Sequence, residues 1–286
     1  MKRIERELER AVTYATAQGC PPKIASAIRD SIFPGGARIR PRLAMAVSYA
    51  CGDKNPAVVD AAAAAIEILH CASLVHDDMP CFDDAETRRG KPTIHKAYGE
   101  PIALLAGDAL IVLAFETIAR GCVMVPHLLA PVLTTISRAV STPNGIIAGQ
   151  AWESEDNIDL RTYHRTKTGA LFVAATAVGA IASESDPQRW MGFGDALGVA
   201  YQVADDLHDY AATSGEMGKP CGQDVAHGRP NAAAQNGIAA TLELLKQQVK
   251  AAVDAVPDCQ GADALKAMVA GEAKRLVPKE LLQSAA

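Results

Sequence analysis

Apolar positions recur at helical spacing along nearly the whole chain. Near the N-terminus, Ile4, Leu8, Ala11, Val12 and Ala15 form one such stripe, closed by Gly19 and Pro21-Pro22. A short helix is predicted over residues 23–31, broken by Phe33-Pro34-Gly35-Gly36. Another runs from Pro41 to the turn at Gly52-Asp53-Lys54-Asn55-Pro56. A long helix over residues 56–78 follows, which Pro80 ends or bends. Further helices are predicted over 101–120, 127–141, 144–156, 169–183, 187–212, 236–255 and 261–275. The alternation of a half-buried strand is nearly absent, and no repeat, low-complexity run or linker divides the chain. The expectation is an all-α bundle forming a single domain over residues 1–286.

Composition supports that expectation. Hydrophobic residues make up 49% of the chain but aromatics only 5%, and alanine is abundant, which favours helix over sheet. A formal net charge of −5 with no long basic block argues against a nucleic-acid partner. The cysteines Cys20, Cys51, Cys71, Cys81, Cys122, Cys221 and Cys259 are scattered, odd in number and without a CxxC pair, so neither a disulfide framework nor a zinc site is expected. The stretch Met1-Lys2-Arg3-Ile4-Glu5-Arg6-Glu7 lacks the apolar core of a secretion signal. The uncharged helical segment over 169–183 is too short to span a bilayer. A cytoplasmic protein without stable membrane insertion is therefore expected.

Two acidic clusters interrupt these apolar helices: His76-Asp77-Asp78-Met79-Pro80-Cys81-Phe82-Asp83-Asp84 and Asp205-Asp206-Leu207-His208-Asp209. Carboxylates placed in apolar helices are costly unless compensated, and a cation is the usual compensation. Asp205 and Asp209 share one helix face about 6 Å apart, and Asp206 lies far enough round to flank the same region. Hard oxygen donors without His or Cys point to magnesium rather than zinc. In the first cluster Cys81 occupies the fourth position after Asp77, so Asp77 and Asp83 become the candidate ligands, with the loop after Asp78 folding back over the metal. The plainer alternative is a solvated acidic turn on a surface helix.

The stretch HDDMPCFDDAETRRGKPTIHKAYGE over residues 76–100 resembles the first aspartate-rich region of the trans-isoprenyl diphosphate synthases, and residues 205–209 resemble the second. Gly35-Gly36-Ala37-Arg38-Ile39-Arg40-Pro41, Lys167-Thr168-Gly169-Ala170 and Gly218-Lys219-Pro220 match further motifs of that family in its order. Within the family, Gly149-Gln150-Ala151-Trp152-Glu153-Ser154-Glu155 and Gly228-Arg229-Pro230-Asn231-Ala232 resemble the geranylgeranyl diphosphate synthases of carotenoid pathways in purple photosynthetic bacteria.

The resemblance implies an orthogonal helical bundle around a central cavity, in which an allylic diphosphate is joined head to tail to isopentenyl diphosphate. It implies three magnesium ions per site, two on Asp77 and Asp83 and the third on Asp205, with Asp209 alongside. It assigns Arg88, Lys167 and Lys219 to the allylic diphosphate and Thr168 and Gln202 to the neighbourhood of the carbocation. It assigns Arg40, His70 and Arg89 to isopentenyl diphosphate. His95 and His164 are read as structural, and His208 as a neighbour of the second cluster.

Three positions depart from the family pattern: Ala37 stands where a lysine is usual, Arg229 replaces another lysine, and Glu153 replaces an aspartate. Arg38 or Arg40 is expected to cover the contact that Ala37 lacks.

With the diphosphate fixed at the aspartates, the growing tail runs along the helix that carries Asp77. Ala72 and Ser73, one turn below, are small, and Leu69 or Ile66 offers a deeper stop. This floor and the two extra residues of the first acidic loop imply a twenty-carbon product, geranylgeranyl diphosphate. The alternatives are a farnesyl diphosphate synthase, a terpene cyclase or a non-catalytic partner subunit of a prenyl synthase; a His76-Asp77 phosphohydrolase lacks further histidine ligands. Family members are commonly homodimers, and a homodimer is expected.

Overall fold

The computed structural model describes residues 2–33, 35–157, 159–211 and 232–276. Helices dominate: α1 Lys2–Ala15, α2 Pro22–Ile32, α3 Ile39–Ala50, α4 Pro56–Asp77, α5 Ile94–Tyr98, α6 Glu100–Gly121, α7 Leu129–Val140, α8 Ile146–Ala151, α9 Leu160–His164, α10 Ala170–Ala182, α11 Gln188–Ala211, α12 Ala232–Asn236, α13 Ile238–Asp254 and α14 Ala262–Leu276. The strands described are β1 Thr87–Arg88 and β2 Lys91–Pro92, a minimal antiparallel hairpin.

Prolines open several helices. Pro22 and Pro56 stand first in α2 and α4, and Pro101 stands second in α6, where a missing N–H is no loss. Pro41 likewise falls inside the first turn of α3, so that helix begins two residues earlier than predicted.

The central element is α4. It is apolar nearly all round, and Ala61, Ala62, Ala63, Ala64 and Ala65 are all buried, which lets α3, α6 and α10 lie close around it. At the far end of α6, a Cβ on Gly121 would collide with Ala61, so glycine permits that approach. α10 packs in turn on α11 and α3, and α11 on α13. A second, smaller core joins Ala200, Val203, Ala204 and Leu207 of α11 to Ala233 and Leu245.

Several local features were not predicted, α9 and α12 among them. The expected helix over 144–156 stops at Ala151 and tightens into a 3₁₀ turn, Trp152–Ser154. The hairpin with α5 fills the stretch after the first acidic cluster. A π-helical turn, Arg165–Gly169, sits between α9 and α10. Length and hydropathy alone would let α4 and α6 cross a membrane; α4 is mostly core, whereas less than half of α6's most apolar stretch is buried.

Candidate active site

Both acidic clusters lie at the C-terminal ends of long helices, where the backbone dipole disfavours added negative charge. Asp77 is the last residue of α4. After it the chain folds back, with Asp83 N–H donating to the Asp77 carbonyl (3.0 Å) and Ala85 N–H to that of Asp78 (3.1 Å). This is the loop geometry expected from Pro80. Asp84 is drawn away from the site by Lys96 (3.0 Å) and by the buried His95 (3.3 Å).

Asp77 Oδ1 is buried and has no hydrogen-bond partner. Lys167 Nζ lies 3.9 Å from it, and Arg88 Nη2 lies 3.9 Å from Oδ2. Burial raises the Asp77 carboxyl above the usual aspartate value; Lys167 and Arg88 oppose this, and Asp83 adds to it. A buried, underused carboxylate oxygen with Asp83 beside it fits a hard divalent cation. Among the described residues no three His, Cys, Asp or Glu side chains close on one point. Asp77 and Asp83 lie at the end of α4 and Asp205 near the end of α11, and an ion held by so few carboxylates would keep most of its waters.

Arg88 is committed to Asp78. Its Nε donates to both carboxylate oxygens at 2.8 Å, and Asp78 is only 3% exposed. Burial alone would lower the Arg88 guanidinium, but the bond and charge of Asp78, with Asp77 and Asp83, raise it on balance.

The π turn joins the two acidic ends. Lys167 reaches toward Asp77, while Thr168 Oγ1 donates to Gln202 Oε1 (2.6 Å), one turn before Asp205 on α11. Gln202 Nε2 then donates to Asp206 (2.9 Å), which also accepts the backbone N–H of Ala232. Asp206 is 1% exposed, so it is turned toward α12 and does not flank the exposed Asp205 as expected. Successive side chains on a helix point about 100° apart, and here that angle separates the two aspartates. A Cβ on Gly149 would run into the backbone of Lys167, so α8 meets the π turn by lacking one. That contact brings Glu153 onto Lys167 as an ion pair; Tyr163 Oη (2.6 Å) and Gln150 Nε2 (2.9 Å) donate to the same carboxylate.

A second group of cations surrounds His70. Arg40 stacks on Phe172 (4.8 Å to the ring centroid), and its Nε is buried without a partner. Burial lowers the Arg40 guanidinium, with Glu67 and Asp205 opposing. His70 is held well below the usual histidine value by burial and then by Arg40, Arg89, Arg88 and Arg38, so its ring stays neutral. Arg89 donates to the Gly35 carbonyl; a Cβ on Gly36 would sit 2.8 Å from its Nη1.

Arg38 does not replace the missing lysine at position 37. At φ +49° its side chain turns inward, 1% exposed, onto Glu67 (2.7 Å), Glu5 (3.0 Å) and the Ile32 carbonyl (2.8 Å). With three of its five donors engaged and the side chain shut inside the core, this guanidinium does not face a ligand. His76 faces α6, its Nε2 3.9 Å from Asp108, where Gly107 leaves room for the ring. His164 is buried enough that its pKa falls. Ser73 is half-buried and lies one turn below Asp77, its hydroxyl bonded to the His70 carbonyl (2.8 Å); Ala72, 1% exposed, belongs to the core. Lys219, Arg229 and the side chain of Asp209 lie outside the described residues.

Residues 21–268 match the polyprenyl synthetase family. The chain belongs to that family. This polyprenyl synthetase is 48% identical over 281 residues to a geranylgeranyl diphosphate synthase of Cereibacter sphaeroides, spanning 97% of this chain and 98% of the other. It is 47% identical over 268 residues to one from Rhodobacter capsulatus, spanning 94% and 93%. Its fold matches the apo crystal structure of an FPP/GFPP synthase from Zymomonas mobilis at 28% identity, with a TM-score of 0.78 over 94% of this chain and 95% of that one.

Proposed function

We propose that this polyprenyl synthetase is a Mg²⁺-dependent geranylgeranyl diphosphate synthase that condenses an allylic diphosphate, farnesyl or shorter, with isopentenyl diphosphate. The observation that carries the reading is Asp77: a buried carboxylate with an open oxygen, flanked by Lys167 and Arg88 at 3.9 Å. Relatives 47% and 48% identical over nearly the whole chain bear the same name.

Asp77 and Asp83 would hold metal on one side, and Asp205 with Asp209 on the other, three ions in all. When bound, Mg²⁺ neutralises the diphosphate as it leaves the allylic carbon. Lys167, Arg88 and Lys219 take diphosphate oxygens, the arginine as a fork and the lysines as point charges. Thr168, fixed by its bond to Gln202, keeps its free lone pair for the allylic cation. Arg40 and Arg89 supply the charge that receives isopentenyl diphosphate, the neutral His70 adds a hydrogen-bonding nitrogen without further repulsion, and Arg229 is a further substrate-binding cation. The alkene attacks the cation, and the departing diphosphate accepts the proton that is lost. The tail runs past Ser73, a residue too small to stop it at fifteen carbons.

We also propose that the chain works as one domain, cytoplasmic and homodimeric, and feeds carotenoid synthesis. Exposed Leu104, Leu105 and Val112 along α6 supply an apolar face for a second copy. Incubation of the purified protein with Mg²⁺, farnesyl diphosphate and isopentenyl diphosphate tests the main reading. Twenty-carbon diphosphate is the expected product. Product ending at fifteen carbons from shorter primers would show a farnesyl diphosphate synthase instead, and no product would remove the reading.

A further inference from the structure

Asp77 stands between two cations, and each cation is already tied to a different carboxylate. Arg88 is held by Asp78, and Lys167 by Glu153. Glu153 is held in turn. Its side chain is 12% exposed, Tyr163 Oη donates to Oε1 at 2.6 Å, and Gln150 Nε2 donates to Oε2 at 2.9 Å. One donor on each oxygen prevents the carboxylate from rotating away. The lysine is the mobile member of the set, an ammonium on a four-carbon stem with three rotatable donors. Without Glu153 its next anion is Asp77 Oδ1, 3.9 Å away, buried and without a hydrogen bond. A full ion pair there would occupy the oxygen that a cation needs.

We infer that Glu153 is a positioning residue that keeps Lys167 off Asp77, leaving the Asp77 carboxylate open to metal until a diphosphate arrives to take the lysine. The inference rests on the proposed function. It assigns the glutamate a role its position on a 3₁₀ turn would not by itself suggest. A brace between α8 and the π turn would give the same three hydrogen bonds, so the test separates bracing from withholding the lysine.

Calorimetric titration of inorganic pyrophosphate into the full-length protein, repeated over a series of Mg²⁺ concentrations, reads metal capture without turnover. Glu153→Gln should raise the Mg²⁺ needed for half-maximal pyrophosphate binding by about five- to tenfold. In a Lys167→Met background, the same substitution should add nothing, because no lysine remains to occupy Asp77. A crystal structure of ligand-free Glu153→Gln should show Lys167 Nζ hydrogen-bonded to Asp77. An unchanged Mg²⁺ requirement, an equal added cost with Lys167 absent, or a lysine still turned from Asp77 in the crystal would each overturn the inference. A wild-type protein that binds no pyrophosphate with Mg²⁺ would overturn the proposed reaction as well.

Discussion

Arg88 and Asp78 form a forked pair that closes the loop after α4, with Arg88 Nε 2.8 Å from both oxygens of a carboxylate almost cut off from water. Asp78 follows the last residue of α4, and Arg88 belongs to the hairpin, so the pair fastens the loop bearing Asp83 to the helix bearing Asp77. Removing the arginine strands a buried charge. Arg88→Ala should cost about 2–3 kcal/mol in urea unfolding, less than the roughly 3–5 of a fully buried pair because the guanidinium is partly exposed. Asp78→Asn, which leaves a hydrogen-bonding group in place, should cost less.

Asp77 should trade stability against function. Burial holds its carboxyl above the usual value, so ionised Asp77 opposes folding near neutral pH when metal is absent. Asp77→Asn in EDTA should therefore melt no lower than wild type. The same variant should lose at least about a thousandfold in condensation rate with Mg²⁺, the equivalent of ~4 kcal/mol at the transition state. Melting curves in EDTA and a product assay in Mg²⁺ check the two halves separately.

Product length should respond to Ser73 but not cleanly to Ala72. Ser73 lies partly open one turn below Asp77, whereas Ala72 packs into the core. Ser73→Phe should shift the product from twenty carbons to fifteen with little loss of stability. Ala72→Phe should overpack the core by about 1–3 kcal/mol, seen as a lower midpoint in urea. Unchanged product length in Ser73→Phe would reject the tail path along α4.

Arg38 leaves Ala37 uncompensated, which predicts a gain. Ala37 is exposed beside Gly36 and Arg89, so a lysine there meets solvent and ligand without displacing core. Ala37→Lys should lower the KM for isopentenyl diphosphate about fivefold, near 1 kcal/mol, and leave the KM for the allylic substrate unchanged.

His70 should set an acid-side slope in stability. The unfolded imidazole takes up a proton below about pH 6.5, whereas the half-buried ring among four arginines resists until much lower. The unfolded state then binds more protons, so stability falls as pH drops below 6.5 and continues to fall until the native pKa is reached. His70→Gln should flatten this slope between about pH 6.5 and 5, measured by urea unfolding at stepped pH.

Helical periodicity made most of the fold readable, because an amphipathic or wholly apolar helix announces its period in every turn. The segments that escaped are short: the hairpin, α5, α9 and the π turn span too few residues for a period to show. The acidic clusters were legible for the opposite reason, as charges set into an apolar run. Asp206 shows where spacing stopped helping. Spacing puts it near Asp205, but whether a flanking aspartate turns to the site or to a neighbouring helix depends on what packs against that helix, here α12.

The amino-acid order alone determined the all-α architecture and the two carboxylate ends, since these follow from local periodicity and from the cost of burying charge, whereas the basic residues were assigned by resemblance to the family. Only the tertiary structure decided the pairings: Arg88 with Asp78, Lys167 with Glu153, and Arg38 with Glu5 and Glu67. Partners as far as 33 residues apart meet only because α1, α3, α4 and the hairpin pack around one core. Partner choice is set by distance and burial in space, which no spacing along the chain encodes.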